Sequence, residues 1–198
     1  MDAITALHTR HSTAAAQLNE PAPSETELAS ILKAAVTAPD HAGLTPWQFI
    51  LIRGDARQCL GDLMAETFRR RNPTADSALI ERQRKKPLRS PLIITVVATI
   101  VSDNPKVPEF EQILSAAAAA EHIQLACHAL GYGSIWLSGD NMYDWVFTEA
   151  LGLNTTDRIV GFLYIGTPNK LGNAAPRPNA ADFVREWTAI CAPEESAI

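Results

Sequence analysis

The chain has 198 residues, 46% of them hydrophobic and 20% charged, with a net charge of −5. That length and mix suit one globular domain, which buries on the order of 70% of its extended surface and needs no metal or disulfide staple. The acidic balance argues against nucleic acid or an anionic membrane surface as the partner.

The N-terminus, MDAITALHTR, has an acid at position 2 and no long apolar stretch, so it does not read as a secretory signal. Residues 2–9 read as a short helix with Ile4 and Leu7 inward, interrupted by Arg10-His11-Ser12-Thr13. Ser24-Glu25-Thr26-Glu27 is a capping box ahead of Leu28, Ile31, Leu32, Ala35 and Val36, which share one helical face. Pro39 ends that helix. Trp47 to Ile52 is the first strand, and Asp55 to Arg71 a helix with Leu60, Leu63, Met64 and Phe68 inward. A basic segment, 72–89, is helical in its middle. Leu92 to Val101 is apolar but about half a membrane span long and rich in β-branched residues, so it is a buried strand.

Phe110 to Leu130 is a long alanine-rich helix, apolar on most faces, which suits a central buried position. Gly131 stands where a left-handed cap is wanted. Ser134 to Leu137 is a short strand, Tyr143 to Leu151 a helix carrying Trp145 and Phe147, and Arg158 to Ile165 a third clear strand. The tail from 169 to 198 contains Gly172, Pro176 and Pro178 and reads as extended, with few ways to bury itself inside one subunit. That points to a partner chain. The class is α+β or α/β with a small sheet. The cysteines, Cys59, Cys127 and Cys191, are odd in number and far apart, and read as reduced thiols of a cytoplasmic protein.

Three segments carry candidate chemistry. Arg10, His11 and Ser12 combine a guanidinium fork with short donors at a break between elements, which suits an anion; a helix end complemented by basic residues is the plainer reading. In "APDHAGLTPW", residues 38–47, Ala42-Gly43 leaves little bulk, so a flat ligand could approach the backbone, and His41 offers a ring donor. "GYGSIWLSG", residues 131–139, offers two glycines, but they follow a helix and precede a strand, the reverse of a dinucleotide fingerprint. No P-loop and no GxSxG elbow is present. His122, Cys127 and His128 do not converge as metal ligands, so no metal site is expected. Arg82, Arg84, Lys85, Lys86 and Arg89 read as a solvated basic face, with a phosphorylated cosubstrate as the sharper alternative.

Taken in order, these pieces resemble the FMN-dependent nitroreductases: R-x-S after a short helix, "AP…PW", "GxGS-x-W" after a long helix, and "VGFLYIGTP" at 160–168. Within them the likeness is to the compact YdjA-type branch, through "APDH…PW", "PLIITVVA" at 91–98 and "KVP…EQ" at 106–112, and it spans residues 1–170. The resemblance implies a nitroreductase-like α+β fold with a small, mostly antiparallel sheet ringed by helices, in a homodimer with FMN at the interface. Arg10, His11 and Ser12 would hold the phosphate and ribityl chain. Thr37 and His41 would border the flavin from one loop, and Trp136, Leu137 and Ser138 from another, with Arg177 a further phosphate ligand. Ala126, Cys127, His128, Ala129, Leu130 and Gly131 match a stretch associated with the nicotinamide cosubstrate.

No side chain is a required acid or base, since FMN carries the chemistry. The implied activity is hydride transfer from NAD(P)H to nitroaromatic or quinone-like acceptors by a ping-pong mechanism. Alternatives are a flavin reductase of another acceptor class, such as an enone or halogenated aromatic, or a flavin-binding module with little turnover. The chain departs from the family at Asp40-His41 and Thr45, where most members carry asparagine and glutamine, and at Leu137, where compact relatives carry arginine.

Overall fold

The computed structural model describes residues 1–170 and 176–188. Its centre is β3 (Leu92–Ala98), seven residues all buried, as a continuous apolar run requires of a strand covered on both faces. It pairs antiparallel with β2 (Trp47–Arg53) on one side and β5 (Arg158–Pro168) on the other. β5 in turn pairs antiparallel with β4 (Gly133–Leu137) and with the two-residue β1 (Leu18–Asn19). The sheet is thus wholly antiparallel, one step firmer than the expected "mostly".

Alternate residues of β3 feed two cores. Leu92, Ile94 and Val96 meet α2 (Glu25–Ala35) and α5 (Glu109–Ala129), while Ile93 and Val97 meet α3 (Ala56–Arg71) and Phe147 of α6 (Trp145–Ala150). Ala116, Ala119, Ala120, Ile123 and Cys127 of α5 are fully buried; small side chains let the helix lie close to the sheet. The capping box on α2 is formed, with Ser24 and Glu27 exchanging bonds, and Glu27 also accepts from the Tyr132 hydroxyl at 2.9 Å. Gln112 of α5 is buried and pins the loop after β3 through Val101 and Val107. α4 (Ser77–Arg84) packs on α3 and covers the basic segment's middle. No helix among the described residues is long and apolar enough to cross a membrane.

Several expectations change. The first helix, α1 (Ala3–Thr9), buries only Ala6; Ile4 and Leu7 face outward, 61% and 51% exposed. Val36, Phe110, Leu114 and Trp145 are also exposed, because each lies on the side of its helix turned from the sheet. Residues 143–151 divide into a 3-10 turn at Asp140–Tyr143 and the shorter α6. The tail holds a 3-10 turn at Ala180–Phe183, and Phe183, Val184 and Trp187 are exposed. Cys191 lies outside the described residues; Cys59 and Cys127 are free thiols.

Candidate functional site

Asp2 caps α1 through the Thr5 amide, and the helix closes on Arg10, whose amide bonds to the Ala6 carbonyl at 2.9 Å. The chain then turns extended and is stitched to β4 by Thr13 N–H to the Ser134 carbonyl, 2.9 Å. This throws the Arg10 guanidinium against α5, with Nε 3.1 Å from Glu121 Oε1. Its Nη1 is buried and has no hydrogen-bond partner. Arg177 donates from Nη2 to the Arg10 carbonyl, so the tail is tied to the main chain of this break.

Histidines complete this end. His11 stands edge-on to His128, ring centres 6.0 Å apart, and His128 Nε2 lies 2.8 Å from Thr9 Oγ1. Burial lowers the His128 pKa from its usual value, and His11 and Arg10 beside it push the same way. A cavity of about 190 Å³ opens between His11, Thr13, His128 and the 131–134 turn. Ser12 is exposed beside it. Both glycines of the turn have structural causes: Gly131 adopts φ 89°, and a β-carbon on Gly133 would crowd Thr13 and Leu18.

The 39–46 loop is built differently. Ala42, Gly43 and Thr45 all have positive φ, at 62°, 68° and 48°, and for the β-branched Thr45 that is a strained geometry. One carboxylate holds it: Asp40 Oδ2 accepts the Thr45 amide at 2.6 Å, while its Oδ1 is buried and unpartnered. His41 Nδ1 lies 2.6 Å from Glu111 Oε2. Between this loop and α5 lies a shallow groove of about 460 Å³ floored by Leu114, Ser115 and Ala118. Thr37 caps the preceding helix through the Ala34 carbonyl and stands 3.3 Å from His122.

Trp136 and Leu137 leave β4 on opposite faces. Trp136 packs over the α5 core and donates from Nε1 to the Val160 carbonyl at 3.2 Å. That carbonyl is free because β5 bulges at Val160, and Gly161 supplies the space, since a β-carbon there would collide with the indole. Leu137 and Ser138 face a separate cavity of about 370 Å³ near α3 and the Lys86–Arg89 turn.

One protomer therefore gathers Arg10, His11, His128 and Arg177, but not His41. Their contacts on α5, Glu121 and Glu111, are ten residues apart, roughly 15 Å along the helix axis. Within 126–131, Cys127 is wholly buried, and burial pushes its thiol up to about 12, so its side chain serves the core and cannot face a cosubstrate. Ala126 is half-buried; Ala129, Leu130 and Gly131 are exposed. The sequence reading missed Glu111 and Glu121, and weighed His122 only as a metal ligand. Their signal was available: they are the polar interruptions of an otherwise apolar helix, at positions that fall on its outward side.

The nitroreductase family model matches residues 7–167. The chain is 40% identical over 185 residues to YdjA of Escherichia coli K12, provisionally named an NAD(P)H nitroreductase, covering 93% of this chain and 98% of that one. A Haemophilus influenzae protein with a similar provisional name is 35% identical over 84% of this chain and 89% of its own. Among solved structures, a nitroreductase-like family protein from Bacillus cereus superposes with a TM-score of 0.80 at 23% identity, covering 96% of this chain and 97% of that one. A provisional nitroreductase from Desulfovibrio desulfuricans, solved in complex with FMN, gives 0.69 at 23% identity, covering 94% and 97%. With the fold, the arginine-bearing break after α1 and a family match running from the first helix to the last strand, this chain belongs to the nitroreductase family.

Proposed function

We propose that the chain is an FMN-dependent oxidoreductase that takes hydride from NAD(P)H and reduces nitroaromatic or quinone-like acceptors, as a homodimer in the cytoplasm. The observation that carries the reading is Arg10. A buried guanidinium nitrogen without a partner is an unmet donor, and a second arginine, Arg177, is bonded to the Arg10 main-chain carbonyl. Two cations and an unused donor fit a phosphate, which offers several charged acceptor oxygens. The donor set therefore fits FMN.

In that role Arg10 and Arg177 would hold the phosphate, and the exposed Ser12 hydroxyl and the His11 ring would serve the ribityl chain. Glu121 keeps the Arg10 fork turned so that Nη1 stays free. Leu137 and Ser138 would border the ring, as would the 39–46 loop. FMN, when bound, would supply the two-electron redox chemistry that links NAD(P)H to the acceptor, with the two taking turns at the site in ping-pong order. No side chain in these segments has to move a proton for that.

The roughly 15 Å between the Arg10 end and His41 supports a site completed by a second copy. So do the exposed Ile4, Leu7, Phe110 and Leu114, an apolar set too large to leave in water without cause. Anaerobic titration of FMN-soaked protein with NADPH, followed by a nitroarene, tests the reading. Bleaching and recovery of the visible flavin absorption band is the expected course. A protein that emerges colourless from the soak ends it.

A further inference from the structure

The groove between the 39–46 loop and α5 holds a pair whose chemistry the flavin reading leaves unused. His41 Nδ1 lies 2.6 Å from Glu111 Oε2, across a sequence separation of 70 residues. Each partner is held by other means. Glu111 stands in the first turn of α5, where its charge complements the helix dipole. His41 opens a 3-10 turn whose next residues, Ala42 and Gly43, take positive φ, and Asp40 closes that loop on the Thr45 amide. The strained backbone sets where the imidazole starts, and the carboxylate sets how it is turned.

A carboxylate on Nδ1 keeps a proton there, so the proton that the ring exchanges is the one on Nε2. That nitrogen has no hydrogen-bond partner among the described residues. The groove, about 460 Å³, offers it no rival as a donor. Pro39, Leu114 and Ala118 are apolar, and Ser115 spends its hydroxyl on the Glu111 carbonyl at 3.1 Å. Asp40 Oδ1 is buried and itself lacks a donor. An apolar floor beneath one carboxylate-oriented imidazole is the arrangement of a base and its orienting partner.

The acceptors named above need a proton for every hydride. A quinone takes both to become the hydroquinone. A nitroarene takes both, breaks one N–O bond and leaves as the nitroso compound and water. Bulk water can supply that proton, but a positioned imidazole supplies it faster, typically by about 10²–10⁴-fold. We propose that His41 donates this proton from Nε2 and that Glu111 is its positioning residue. As the acceptor gains its hydride from the reduced cofactor, the Nε2–H bond breaks and the acceptor oxygen gains the proton. Solvent then reprotonates the ring, whose side chain is 54% exposed. The donor role rests on the proposed function, whereas the orientation of His41 by Glu111 does not.

Two measurements test this. Reduced, FMN-loaded full chain is mixed anaerobically with benzoquinone, nitrobenzene or ferricyanide, the last of which takes one electron and no proton. In His41→Gln the rate with benzoquinone or nitrobenzene, divided by the rate with ferricyanide, is expected to fall at least about tenfold. Added imidazole is expected to restore part of that ratio in His41→Ala, and Glu111→Asp to keep more of it than Glu111→Gln. Imidazole-nitrogen NMR of the flavin-free chain is expected to find neutral His41 protonated on Nδ1, a preference lost in Glu111→Ala. An unchanged ratio in His41→Gln overturns the donor role and leaves the proposed function standing. A wild-type ring protonated on Nε2 overturns the part given to Glu111. A reduced wild type that none of the three reoxidises sinks the proposed function, and the donor role with it.

Discussion

The two segments expected to border the flavin ring are held in opposite ways. At the end of β4, Trp136 is fixed by sheet pairing, by a bond to the bulged Val160 carbonyl and by the vacancy at Gly161. The 39–46 loop has three residues at positive φ and is closed by one carboxylate, Asp40, on one amide. A ligand side built into a sheet is rigid before anything binds. A side built on a strained loop is drawn from the less stable part of the molecule, where a segment can adjust to a partner subunit or to exchanging substrates. One wall positions and the other adapts.

The contrast matters only if a flavin is anchored between them, so the largest expected effect is at the anchor. Arg10→Ala removes charge-assisted bonds worth about 1.5–3 kcal/mol each, and two of them correspond to roughly a hundredfold loss of FMN affinity or more. Fluorescence titration reads this directly. Unchanged affinity would leave the two walls without a shared ligand. Next comes the rigid wall: Gly161→Ala places a methyl into the Trp136 indole, for a loss of about 2–3 kcal/mol and a Tm drop of roughly 5–10 °C. A silent substitution would mean that Trp136 is not locked.

The adaptable wall should answer more mildly. Asp40→Ala leaves the Thr45 amide without its acceptor, about 1 kcal/mol, read as a roughly fivefold rise in amide exchange confined to 39–46. A global change in exchange would show that the loop is structurally coupled to the core and that the contrast is false.

The sequence made the rigid parts legible because their signals are local. β3 is a run of β-branched and apolar residues, α2 opens on a formed capping box, and Gly131 ends α5 in the left-handed region. The failures have a common cause as well. Ile4, Leu7 and Val36 were apolar at helical spacing, and periodicity alone cannot say whether an apolar stripe faces this chain's core or leaves it. The resemblance singled out Arg10, His11 and Arg177, and in the structure Arg177 bonds to the Arg10 carbonyl. The sequence marked Glu121 as a polar break in an apolar helix but not as the partner of Arg10, because that pairing is set by long-range packing. Cys127 was misjudged for the same reason: its neighbours at 128 and 129 look out, while it looks in.

The smallest expected effect asks which wall the Arg10 end resembles. His128 has a folded pKa below the usual 6.5, owing first to burial and then to His11 and Arg10. Above pH 6.5 both folded and unfolded chains hold it neutral, and it contributes no pH dependence. As pH falls below 6.5, the unfolded chain takes up a proton that the folded chain resists, so stability declines. The ring is only half-buried and solvent screens it, so the slice is small: about 1 °C of Tm between pH 7 and pH 5, absent in His128→Asn. Parallel curves for wild type and variant would mean that the end rearranges to accept the charge, as the loop would. A divergence that inorganic phosphate flattens would mean the reverse. An anion settled there offsets the repulsion from Arg10 and His11, and only an end already rigid enough to hold His128 against that repulsion has anything for the anion to relieve.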